Sequence, residues 1–60
     1  MERIDVSGCI AEMERELRIG SAMRCDEVLA ILERWQWDEM LDDASRAAAR
    51  RLLHEFRWAR

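Results

Sequence analysis

The sequence predicts an all-α fold: a small antiparallel bundle of two to three helices, paired as a homodimer. Three observations carry this. Apolar residues recur at helical spacing almost throughout, whereas β-branched residues are few and nothing alternates as a strand would. The 60 residues contain no Pro and only two Gly, so the chain has few places to break. Half of the residues are hydrophobic, more than a three-helix monomer of this size can hide, and a second copy is the expected cover.

The first helix is expected at about residues 6–18. Asp5 and Ser7 are both candidate N-caps. Val6, Cys9, Ile10, Met13 and Leu17 share an arc of about 100°, and Gly20 suits a left-handed C-cap. Ser21 is the expected cap of a second helix at about 22–35. Its stripe is Val28, Ile31, Leu32 and Trp35, with Leu29 on the flank. Asp26 and Glu27 fall near its positive end. The third helix starts at 38 or 43 and runs to 58, with Asp38 or the Asp42–Asp43 pair as cap. The sequence leaves open whether residues 36–43 form a turn or continuous helix. Leu41, Ala44, Ala48, Leu52 and Phe56 are placed on its core face, and Arg46, Arg50 and Arg57 on the opposite one. The expected core or oligomer interface is Val6, Ile10, Met13, Leu17, Val28, Leu32, Trp35, Leu41, Leu52 and Phe56, in one domain spanning 1–60.

Charge is divided unevenly. Residues 1–43 hold twelve of the thirteen acids and carry −7, while residues 44–60 hold five arginines against Glu55 and carry +4. Every cation is Arg, whose planar fork pairs readily with carboxylates. A basic last helix of Arg46, Arg50, Arg51, Arg57 and Arg60 suits nucleic acid. The net charge of −3 and the absence of a recognised nucleic-acid motif favour pairing with the acidic body instead.

Catalytic and metal chemistry find little support. Cys9, Cys25 and His54 are the only soft ligands, and their spacing matches no zinc pattern. On a helical hairpin turning near Gly20 the cysteines are offset by about 9 Å, too far for a disulfide; both are expected to be buried thiols. His54 has no orienting acid on its face. Asp38, Glu39, Asp42 and Asp43 lack the glycine and late Glu of a calcium loop and read as a helix start, with Asp42 pairing to Arg46. The expectation is no enzyme activity, no cofactor and no metal. No apolar run reaches the roughly 18 residues of a membrane span, and the N-terminus has no signal-peptide core. A cytoplasmic protein with reduced cysteines is expected.

Three tryptophans remain. Trp35 belongs to the core stripe, Trp37 sits near the proposed turn, and Trp58 projects off the core face beside Met40 and Ala47. Trp and Arg together are the commonest composition of binding hot spots. The partner-binding residues are therefore expected to be Trp37, Met40, Arg46, Arg50, Arg57 and Trp58, and the partner a protein.

The run Ile4-Asp5-Val6-Ser7-Gly8-Cys9-Ile10-Ala11-Glu12-Met13-Glu14-Arg15-Glu16-Leu17 resembles the start of short helical accessory proteins of temperate bacteriophages. The chain lacks the Val-Tyr-Pro turn associated with those proteins. The resemblance implies only a phage or prophage setting; the surface composition leads to the expectation of a non-enzymatic regulator or inhibitor acting by steric masking, and in that setting a host or defence protein is its natural target. It assigns no residue a role.

Overall fold

The computed structural model describes residues 2–20 and 22–58, without the side chains of Ala22 and Met23. The cap expected at Ser21 and the cation expected at Arg60 lie outside the described residues. Three α-helices follow one another: α1 (Ser7–Ile19), α2 (Ala22–Trp35) and α3 (Asp43–Leu53). A single π-turn, His54–Trp58, continues α3. Each helix packs against the other two, and Ile10, Leu17, Val28, Leu29, Leu32, Ala49, Leu52 and Leu53 form one buried cluster. Val6, Met13, Cys25, Trp35, Ala48 and Phe56 pack around it, half-buried.

Helix α1 starts through Asp5 without using it as the N-cap. Val6 occupies that position, and Asp5 Oδ1 accepts the Ser7 N–H at 2.8 Å. Gly20 ends the helix at φ 86°, donating its N–H to Glu16 O at 3.1 Å. An L side chain there would be strained, which is why a glycine stands at this turn.

The Ser7 N–H bond, followed by contacts to the Ser7 and Ser45 hydroxyls, lowers the Asp5 pKa below its ordinary 3.8. A depressed folded pKa means that the charged carboxylate stabilises the fold above pH 3.8 and that this contribution disappears as pH falls through the folded value. Asp5→Asn should therefore melt below wild type at neutral pH, and the two melting curves should converge in acid. A constant gap across the titration would show that the charge is irrelevant.

Residues 36–42 are a turn, and Asp42 is the cap that starts α3. Its Oδ1 accepts the Ser45 N–H at 2.8 Å. Asp38 instead closes a tight turn, its Oδ1 accepting the Met40 N–H at 2.9 Å. Within this stretch Leu41 is buried and makes an isolated parallel β-bridge with Ile4. Ile4 donates to Met40 O at 2.8 Å, and Asp42 donates to Ile4 O at 2.9 Å.

Several expectations need correction. Ala44 is exposed, and the buried face of α3 is Ser45, Ala49, Leu52 and Leu53. The adjacent leucines both point inward between α1 and α2, which rotates the helix away from the Ala44 line. Fully buried Ser45 is tolerated because its Oγ accepts the Val6 N–H at 3.0 Å and lies 3.5 Å from Asp5 Oδ1. Cys9 is exposed; Cys25 is half-buried, with Sγ 3.9 Å from Leu17 O. Both thiols are free. Cys9 lies about 100° around α1 from Ile10, outside the arc that is actually covered. Leu29, placed on the flank, is buried. Arg46 pairs with Asp43, three residues before it, because Asp42 turns its carboxylate to the helix end.

Candidate protein-binding surface

The turn after α2 builds the most exposed aromatic feature. Trp37 N–H bonds Arg34 O at 3.2 Å and Asp38 N–H bonds Trp35 O at 3.1 Å, so the chain tightens as it leaves the helix. Buried Gln36 anchors the turn on one side and Leu41 on the other. Trp37, between them, is left 72% exposed. From α3, the Arg50 guanidinium lies over the Trp37 ring, 5.6 Å from its centroid. Arg50 Nη2 also reaches Gln36 O at 3.5 Å. The ring is thus held from below by a cation while its other side faces water. Cation–π contacts at exposed sites contribute about 0.5–1 kcal/mol, enough to bias the rotamer.

Met40 and Arg46 come together elsewhere. With Glu2, Arg3 and Glu39 they line an open cleft of about 430 Å³. Met40 is 50% exposed. Arg46 departs from the expected free basic face: its side chain is only 24% exposed, and its buried Nε has no hydrogen-bond partner. The ion pair with Asp43 draws it down along the cleft wall.

Arg57 and Trp58 sit on the π-turn and are not among that cleft's lining residues. Arg57 pairs with Glu33 of α2 at 3.1 Å. Trp58 is 47% exposed and meets His54 edge-on, with ring centroids 6.3 Å apart. Arg50 and Trp58 are separated by eight positions, roughly 12 Å along a helix. The six expected residues therefore form a Trp37–Arg50 pair, a Met40–Arg46 cleft and an Arg57–Trp58 end.

Much of the charge asymmetry is consumed internally. Glu14 of α1 receives Arg18 at 2.8 Å and Arg51 at 3.8 Å. Arg18 also bridges to Glu55 at 3.0 Å and lies over the Phe56 ring at 5.2 Å. The Glu14 hydrogen bond, then the Glu55 charge, raise the Arg18 pKa above its ordinary value. Exposed pairs of this kind are individually weak, but together they tie the π-turn to α1 and α2. Among the described residues of α3 and the π-turn, Arg50 is the arginine with no carboxylate within 4.0 Å.

Glu14, Glu33 and Arg18 were not singled out in the sequence, and Glu55 only as the lone acid of its segment. The i,i+4 spacing of Glu14 and Arg18 could have found that pair, whereas the cross-helix pairs were readable only once the helix faces were known. No group of three potential metal ligands occurs among the described residues, and none of their helices is long and apolar enough to cross a membrane. No family model, curated protein or solved structure matches the chain.

Proposed function

We propose that this chain is a non-enzymatic protein-binding regulator or inhibitor that masks a surface of its partner. In this reading the helices pack antiparallel, the chain pairs as a homodimer, and the setting is the cytoplasm of a cell carrying a temperate phage or prophage. The observation that carries the reading is Trp37, mostly exposed and braced by Arg50. Leaving so large an apolar ring in water forgoes roughly 1.5–3 kcal/mol of burial. A ring already biased toward one rotamer loses less entropy on docking, and Trp and Arg are the residues most enriched at hot spots. Nucleic-acid binding is the weaker reading, since Arg46, Arg51 and Arg57 all have carboxylate partners.

The test is affinity capture from the native host with tagged wild type and a Trp37→Ala variant, each shown to be folded by circular dichroism. A protein retained by wild type and lost with the variant supports the reading. Equal retention by both would overturn the assignment to Trp37. A DNA affinity that falls steeply with salt would favour the nucleic-acid reading.

A further inference from the structure

Among the described residues, the N-terminal segment leaves one edge of its backbone unpaired. Ile4 directs both its N–H and its C=O at Met40 and Asp42. In extended chain, neighbouring residues aim these groups at opposite edges. Arg3 and Asp5 therefore turn theirs outward. Both residues are exposed, and their backbone groups bond no other described residue. Such an edge is a template for another strand.

We propose that its occupant is the same edge of a second copy, paired antiparallel across a two-fold axis through Ile4. This rests on the self-associating part of the reading above and gives it a contact surface. In that register Ile4 faces Ile4 of the partner subunit, and Arg3 faces Asp5 of the partner subunit, twice over by symmetry. The parity is right. The two Arg3–Asp5 pairs exchange N–H and C=O, while the central isoleucines form the closer, non-hydrogen-bonded pair, which suits apolar side chains. Ile4 is 50% exposed and open to such a contact. The charges also select this register, because moving the axis to Arg3 or to Asp5 sets like charges face to face. Arg3 already bonds Asp43 at 3.2 Å, but a guanidinium carries five donors and serves both acids. Asp5 spends Oδ1 on Ser7, and its Oδ2 faces no described donor. So short an edge belongs to the small, weak class of interfaces.

Arg3→Asp and Asp5→Arg test this by sedimentation velocity at tens of micromolar, with circular dichroism verifying the fold. Wild type is expected to dimerise. Each variant alone sets like charges opposite one another and should dimerise roughly tenfold more weakly or worse. Their equimolar mixture places an all-acidic edge against an all-basic one and should recover the dimer as a heterodimer. A chemically synthesised chain with an N-methylated Asp5 amide keeps both side chains and removes one edge donor; it should also weaken dimerisation. A monomeric wild type, variants that dimerise like wild type, folded variants that fail to pair when mixed, or an indifferent N-methyl chain would each overturn the proposal. Trp37 and Arg50 are untouched by these changes, so capture of a heterologous partner tests the regulator reading separately.

Discussion

Leu52→Ala is expected to leave much of the chain unfolded. Leu52 is fully buried at the centre of the cluster shared by all three helices. Truncating such a leucine costs about 2–5 kcal/mol, because transfer energy is lost and a cavity remains. At roughly 0.05–0.15 kcal/mol per residue, the total stability of 60 residues is only about 3–9 kcal/mol. For a domain this small, each kcal/mol moves the melting temperature by roughly 4–8 °C. The melting temperature followed by circular dichroism should fall by about 8–40 °C, if a transition survives at all. Ala44→Ser, on the exposed side of the same helix, is the control and should change stability by no more than about 0.5 kcal/mol. Similar small shifts for both would mean that α3 does not bury the face described.

Trp37→Ala should do the opposite: spare the fold and abolish the partner. The ring contributes little to the core, and its main contact is Arg50. Loss of stability should therefore stay near the about 0.5–1 kcal/mol of an exposed cation–π contact. Loss of binding to the captured partner should be at least about 2 kcal/mol, or some thirtyfold in Kd, as for a central hot spot. Isothermal titration against the purified partner measures it. Reversing arginines one at a time sharpens the result. Arg50→Glu removes the brace and should also weaken binding, whereas Arg57→Glu sets two acids together at Glu33 and should mainly loosen the π-turn. If Arg57→Glu costs more binding than Trp37→Ala, the partner docks at the Trp58 end.

What the sequence made legible was local. Gly20 and the spacing from Val6 to Leu17 placed α1 to within a residue, and the Val28-to-Trp35 stripe did the same for α2. The start of α3 was narrowed to two candidates, and side-chain hydrogen bonding separated them: Asp42 reaches Ser45, whereas Asp38 reaches Met40. The buried side of α3 was misread because Ser45 looks polar, and its satisfaction depends on Val6, 39 positions away. The Ile4–Leu41 bridge was invisible for the same reason, since neither residue lies in a strand-like pattern. For the surface, composition singled out Trp37 and Arg50 without showing that they touch. It also grouped Arg46 and Arg57 with them, because a helical wheel does not know which carboxylates the neighbouring helices present.

The bridge between Ile4 and Leu41 also sets an order of events in folding. The helices draw on contacts within a few residues and form on the microsecond scale or faster. The bridge and the Val6–Ser45 bond must close a loop of more than thirty residues before they return anything. Packing α1 on α3 spans the same distance, so what sets this segment apart is its exposure: Ile4 is half exposed and few buried contacts hold it, and it is expected to open first, a small cooperative unit resting on a bundle that outlives it. In native-state hydrogen exchange, the amides of Ile4, Val6 and Asp42 should lose protection together, well before Leu32 or Leu52. The beginning of the chain then behaves as a latch, shutting over a body already assembled.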